Sequence, residues 1–247
     1  MMNNLFNNMP PVVKNLLLLN VVMFIITVIG EMQGIQLTRL LGGYVFNSPY
    51  FEPYQMVTHF FMHGGLFHIF FNMFALVIFG SVLEQVWGAK RFFIFYVVTA
   101  LGAFIVHQLV GYFEVKSLER ELVENGFNLY QVKDLVQDNM SKGLISTNPL
   151  LRDYQVGIGI PVVGASGAVY GVFVAFAYLF PNTQLMLLFP PIPVKAKWLV
   201  LFLVGIALFQ SFQSNPGDNI AHLAHLGGAL VGFIMVLFWQ KTKKNFY

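Results

Sequence analysis

The chain has 247 residues, 57% of them hydrophobic and only 10% charged, with 27 Phe, a mean hydropathy of +0.67 and a formal net charge of +3. A soluble domain carries about 25% charged residues, so this apolar surface cannot be covered in water and the composition indicates an integral membrane protein. The absence of cysteine excludes disulfides, thiolate metal sites and a Cys nucleophile, and the small positive charge argues against a nucleic-acid partner.

A membrane helix needs about 20 mostly apolar residues, and six stretches meet or approach this. The first, 13–32, ends in "GEMQG", a poor cleavage site, so it reads as a retained span and not a signal peptide. A polar loop with Gly-rich punctuation follows at 33–65. The second span covers 66–86 and the third 92–112. Residues 113–155 form a charged insertion with seven acids and five bases, and helix-like patches on either side of Gly126. The fourth span, 160–180, lies in a stretch without any charge. The fifth, 198–212, is short and could lengthen towards Gln213; the sixth covers 220–239. The turns "FPPIPVKAK" and "QSNPGDN" flank the fifth, and no sequence repeat is evident. The expected fold is all-α, a polytopic six-helix membrane bundle forming one domain over 1–247, with its insertion at about 113–155.

Loop charges set the orientation. With the N-terminus inside, the inner segments hold Lys14, Lys90, Arg91, Lys195, Lys197, Lys241, Lys243 and Lys244 against Glu84 alone. The outer segments hold six basic and ten acidic residues. Trp87, Trp198 and Trp239 all fall at the inner interface, as an aromatic belt would.

Polar groups inside hydrocarbon are costly and mark function. Here His68 and Asn72 lie in the second span, Ser166 in the fourth, and His222 and His225 in the sixth. These three spans run in the same direction, and each group lies within about two turns of the outer end, a common depth of roughly 5–10 Å. His68 and Asn72 are i and i+4, hence on one face, as are Ser166 and Tyr170. Gly164, Gly167 and Gly171 remove bulk around Ser166, and Gly228 and Gly232 make a small-residue face starting three residues after His225; such faces let membrane helices approach closely. Taken alone, a serine in a Gly-rich span is an ordinary packing residue and a lone histidine a structural hydrogen bonder. Their conjunction at one depth supplies a nucleophile, a base and two donors.

The motifs "GASGAVYG" (164–171), "AHLGGALVG" (224–232) and "HIFFN" (68–72), on the fourth, sixth and second of six spans, resemble those of the rhomboid family of intramembrane serine proteases. The resemblance runs from about Gln55 to Trp239. Glu84 resembles a family position where a carboxylate supports the inner half of the second helix. Two features depart from the family: Tyr54-Gln55 stands where its members often have Trp-Arg, and the insertion 113–155 is longer than in the simplest bacterial ones.

The resemblance implies a rhomboid-like bundle in which Ser166 attacks a peptide carbonyl and His225 serves as base, a dyad with no acid behind it. Tyr170 would hold the imidazole by stacking; Asn72, His68 and the Ser166 backbone N–H would receive the oxyanion. The substrates implied are membrane-spanning proteins cut near the outer interface, in the bilayer of a bacterial inner membrane with the N-terminus cytoplasmic and the site open to the extracytoplasmic side. No cofactor or metal is required: "HLAH" and "HFFMH" lack carboxylate or thiolate partners, HExxH is absent, and Gly217-Asp218 lies in a loop. The rival is a non-proteolytic relative that binds or escorts membrane helices, although such proteins lose the serine or histidine. Of the two histidines, 60° apart on the sixth span, His225 is followed by Gly at its third and seventh positions; His222 lies nearer the mouth, where a structural role is expected.

Overall fold

The computed structural model describes residues 9–187, 191–212 and 219–242. Helix α1, Pro11–Met32, opens on proline, whose fixed φ suits the first helical position. The N–H groups of its first turn, which have no partner within the helix, point at Glu84, which accepts from Val12 (2.9 Å) and Val13 (2.8 Å). The buried carboxylate thus caps a neighbouring helix at its positive end. The carboxylate expected to support the inner half of the second helix, on which it sits, thus serves the first turn of α1.

Two short helices, α2 (Leu37–Leu41) and α3 (Gln55–Thr58), and a 3₁₀ turn at His59–Phe61 shape the loop that follows. The second span is α4 (Leu66–Ala75), a π-helical turn (Leu76–Gly80) and α5 (Ser81–Trp87). After Gly88, helix α6 runs over Ala89–Glu124, 36 residues. The helix runs on past the expected span end near 112: the helix-like patch before Gly126, the first dozen residues of the insertion, continues it without a break. "VKSLERELVE" holds strong helix formers and neither Gly nor Pro, so nothing stops the helix before Asn125-Gly126, where Gly126 takes a φ of +83°.

The rest of the insertion is α7 (Leu129–Ser141) and α8 (Pro149–Gly159), with Asn128 and Asn148 side chains capping their N-termini. Val132, Val136, Leu151, Tyr154 and Ile158 pack with Val45 onto Val115 and Leu122 of α6, forming a second core. Glu119 bridges it, paired to Lys116 (2.7 Å) and Lys133 (3.3 Å) and accepting from the Tyr154 hydroxyl (3.3 Å). Burial, followed by the nearby Glu119 charge, pushes the Tyr154 pKa up.

Helix α9 covers Ser166–Leu179. A hairpin of β1 (Gln184–Met186) and β2 (Pro193–Lys195), with Gln184 opposite Lys195, leads into α10 (Ala196–Ser211); α11 covers Asn219–Thr242. The 213–218 turn, including Gly217-Asp218, lies outside the described residues, as do Lys243 and Lys244. Pro11–Met32, Leu66–Trp87, Ala89–Glu124 and His222–Gln240 are long and apolar enough to cross a membrane, and α9 and α10 are shorter apolar helices. Leu18, Val22, Ile25 and Ile29 of α1 face outward uncovered, the side a lipid tail would solvate. At one end Trp87 meets Trp239 edge to face at 5.3 Å and the Arg91 guanidinium lies 5.1 Å over the Trp239 ring, a cluster suited to a membrane interface. Helix α11 packs along α6 and α9 at the centre of the bundle.

Candidate active site

Ser166 is the first residue of α9, and not a residue one to two turns inside it. The expected helical start at 160 is corrected for a local reason. Gly164 adopts a φ of +119°, which only glycine takes readily and which a helix running through it could not accommodate. The chain around Val162 is instead held extended, and turns at Gly164 and Ala165 into the helix: Val162 and Gly43 exchange two backbone hydrogen bonds of 2.9 Å, and the Gly164 N–H donates to the His59 carbonyl at 2.9 Å. Non-helical backbone at membrane depth is tolerated only where protein satisfies it in this way. Fourteen residues of α9 span about 21 Å of a hydrocarbon layer of about 30 Å, so a helix reaching one face begins about 9 Å below the other.

His225 of α11 reaches Ser166: Nε2 and Oγ lie 2.8 Å apart. The Tyr170 ring lies 4.4 Å from the imidazole, their planes 6° apart, so the ring is clamped face to face. Backbone proximity makes this reach possible. A Cβ on Gly228 would collide with the Gly167 carbonyl, and one on Gly232 would come within 2.7 Å of the Gly171 Cα. His222 sits beside His225, ring centroids 6.0 Å apart, while the bond to Ser166 is made by His225.

His68 and Asn72 converge on the same place from α4. A Cβ on Gly164 would stand 2.7 Å from His68 Nε2 and 3.7 Å from Asn72 Nδ2, so both groups border the turn that precedes Ser166. The Gly64 N–H donates to His68 Nδ1 at 3.4 Å; that nitrogen is then the acceptor, and Nε2 carries the ring proton towards Gly164. Asn72 is buried and its Nδ2 has no hydrogen-bond partner among the described residues. A buried amide left unpaired is costly unless something else occupies it in use.

His63, on the loop before α4, packs edge-on to His68 at 5.1 Å. Burial, helped by the neighbouring His68, lowers its pKa to about 4, so it is uncharged at neutral pH. His59 stacks on Phe104 at 4.4 Å and bonds the Gln55 carbonyl through Nδ1 at 2.7 Å. Burial brings its pKa down to about 4, against that hydrogen bond. Among the described residues no three His, Asp or Glu side chains gather where a metal ion could sit.

Sequence reasoning passed over the buried amides that tie the surroundings together. Gln55, standing where the family often has arginine, accepts from the Glu52 N–H (3.1 Å) and donates to the Tyr50 (3.0 Å) and Leu40 (3.2 Å) carbonyls. Gln108 of α6 and Gln155 of α8 are likewise buried. The polar residues of the membrane helices are thus not confined to the second, fourth and sixth: Gln108 is a polar side chain within an apolar span, which was the available signal.

Fold and site together define a polytopic helical membrane protein built around a hydrogen-bonded Ser–His pair. The rhomboid-domain family model matches residues 50–241, and the chain belongs to the rhomboid family. It is 29% identical over 182 residues to "Rhomboid protein 1, mitochondrial" of Saccharomyces cerevisiae, covering 74% of this chain and 40% of the yeast protein. To "RHOMBOID-like protein 12, mitochondrial" of Arabidopsis thaliana it is 27% identical over 197 residues, 78% of this chain and 47% of that protein. The chain thus spans less than half the length of these two relatives. Against "Putative rhomboid protease YdcA" of Bacillus subtilis the identity is 25% over 244 residues, 98% of this chain and 95% of the other.

Proposed function

We propose that the protein is an intramembrane serine endopeptidase that cleaves membrane-spanning protein substrates by a Ser166–His225 dyad. The observation that carries this reading is the 2.8 Å approach of Ser166 Oγ to His225 Nε2 under the Tyr170 stack. Membership of the rhomboid family, and likeness to a Bacillus subtilis protein named "Putative rhomboid protease YdcA", support it.

In this reading Oγ attacks the scissile carbonyl carbon while its proton passes to His225 Nε2. Collapse of the tetrahedral adduct breaks the C–N bond, and the imidazolium gives its proton to the departing amine. Water then attacks the acyl ester, its proton again taken by His225, and Ser166 is regenerated. The oxyanion is received by the His68 Nε2–H, the Asn72 amide left unpaired in the resting site, and the Ser166 N–H. As first residue of α9, Ser166 offers an N–H with no carbonyl four residues back within the helix, at the positive end of the helix dipole.

We also infer one domain over 1–247, with the insertion packed on the far end of α6, in a bacterial cell membrane with a cytoplasmic N-terminus. The basic residues and Trp cluster at the Trp87–Trp239 end support this orientation, and the end-to-end likeness to a Bacillus subtilis protein supports the compartment. The test is fluorophosphonate labelling of the purified protein alongside cleavage of a model membrane-spanning substrate. Labelling should map to Ser166; Ser166→Ala and His225→Ala should abolish both readouts, and His222→Ala should only reduce them. An unlabelled protein that binds the substrate without cutting it would establish the escort reading.

A further inference from the structure

The Gln108 side chain is fully buried in the third span, 58 residues before Ser166 in sequence. It uses both ends of its amide on a single stretch of the outer loop: Nε2 donates to the Tyr44 carbonyl and Oε1 accepts from the Phe46 N–H, each at 2.7 Å. This is the pairing a neighbouring β-strand would offer, supplied by one side chain. One turn further along α6, Gly111 lets Val45 sit directly on the helix, since a Cβ there would stand 2.7 Å from the Val45 side chain. The clamped stretch in turn grips the chain that leads to the serine. Gly43, next to Tyr44, exchanges both backbone bonds with Val162, and the Ser48 hydroxyl donates to the Ile158 carbonyl at 2.6 Å. Val162 is two residues before Gly164 and four before Ser166.

We propose that Gln108 is a positioning residue for the Ser166 reaction, fixing the outer loop so that Gly43 holds the chain around Val162 extended ahead of the Gly164 turn. It touches no reacting atom. Its effect passes through Tyr44–Phe46 to Gly43–Val162, and from there to the Gly164 turn that sets the start of α9. This inference rests on the dyad reading above. A merely structural amide would be felt in folding alone, whereas this one is felt in the rate of acyl transfer in protein that is still folded.

The test uses two substitutions in the full chain. Gln108→Met keeps the length of the side chain and removes both hydrogen bonds. Gln108→Glu keeps the shape and makes the outcome depend on protonation. The protonated carboxyl donates to Tyr44 and accepts from Phe46 as the amide does, whereas the carboxylate turns an acceptor against the Tyr44 carbonyl. Cleavage of a membrane-spanning substrate in proteoliposomes, fluorophosphonate labelling of Ser166 and thermal unfolding are each followed from pH 5.5 to 8.5.

For Gln108→Met, kcat and the labelling rate should fall about tenfold to a hundredfold, the range that misplacement of reacting groups produces, with KM within about threefold of the parent. For Gln108→Glu, kcat relative to the parent should be near one at low pH and fall as pH rises. A Gln108→Met protein that labels and cuts at the parent rate would overturn the proposal. So would a pH profile for Gln108→Glu that tracks the parent's, or loss of activity in both variants only in proportion to unfolding. Failure of the parent itself to label at Ser166 would overturn the dyad reading and this inference with it, a result distinct from a labelled parent with an indifferent Gln108.

Discussion

Adding one methyl group at Gly164 tests the proposed oxyanion site from its backbone side. An alanine Cβ would stand 2.7 Å from both Cε1 and Nε2 of His68, where ordinary contact begins near 3.4 Å. The imidazole must therefore retreat by about 0.7 Å, or the turn must open. The φ of +119° adds backbone strain of about 1–3 kcal/mol for a residue with a side chain. Displacing one oxyanion donor costs about 10²–10³ in kcat, so Gly164→Ala should slow cleavage by that factor while the protein still folds. The assay is kcat for a membrane-spanning substrate beside thermal unfolding, with Gly65→Ala as control: Gly65 is extended, and a Cβ there meets nothing within 4 Å. Because the harm passes through His68, the same methyl should cost much less in a His68→Ala background, a non-additivity expected of touching groups. Full activity of Gly164→Ala, or equal losses in both backgrounds, would refute the placement of His68 Nε2 at the reacting carbonyl.

Glu84→Ala leaves the Val12 and Val13 N–H groups without their acceptor and should lower stability by about 2–3 kcal/mol, read by thermal unfolding. The activity of the folded fraction should be unchanged, since Glu84 lies about 18 Å along the helix from Asn72. Tyr170→Phe keeps the ring against His225 and should retain activity, whereas Tyr170→Leu frees the imidazole and should reduce kcat about tenfold or more; equal kcat in the two variants would deny the stack a role. Replacing 114–146 with a Gly/Ser linker removes Val115, Leu122, Val132 and Val136 from the second core. It should destabilise the chain and weaken Ser166 labelling through α8, and unchanged labelling would make the insertion an independent appendage.

The membrane helices were legible because their signal is additive: twenty apolar residues announce themselves whatever they pack against. Ser166, His225, His68 and Asn72 were nominated by polarity at a shared depth, a property of each helix alone. What escaped was set by pairings between distant segments. The non-helical chain at 160–165 is uncharged and apolar like the helix it precedes, and its conformation depends on Gly43, more than a hundred residues earlier. The helix-like patch before Gly126 was legible, but not that it joins the third span without a break, because charges mark the end of lipid contact and not the end of a helix. The roles of Gln108 and Gln55 were not legible because the backbone groups they satisfy belong to a loop with no periodic pattern.

The π-helical turn at Leu76–Gly80 works as a phase shifter within the second span. In an unbroken α-helix, twelve residues from Asn72 to Glu84 would rotate the two side chains about 120° apart. One would then face the bundle and the other its flank. A π turn absorbs one extra residue and so takes back about 100° of that rotation, leaving the two within about 20° of a common azimuth. A single helix can thereby turn its amide inward beside Ser166 at one end and its carboxylate inward to cap α1 at the other, and both are buried. Length and bulge compensate: deleting one residue between 76 and 80 would let the turn close as ordinary α-helix with both ends still in phase, whereas a segment of unchanged length forced into unbroken α-helix would swing one end by about 100°, uncoupling the reacting end of the span from the end that anchors it.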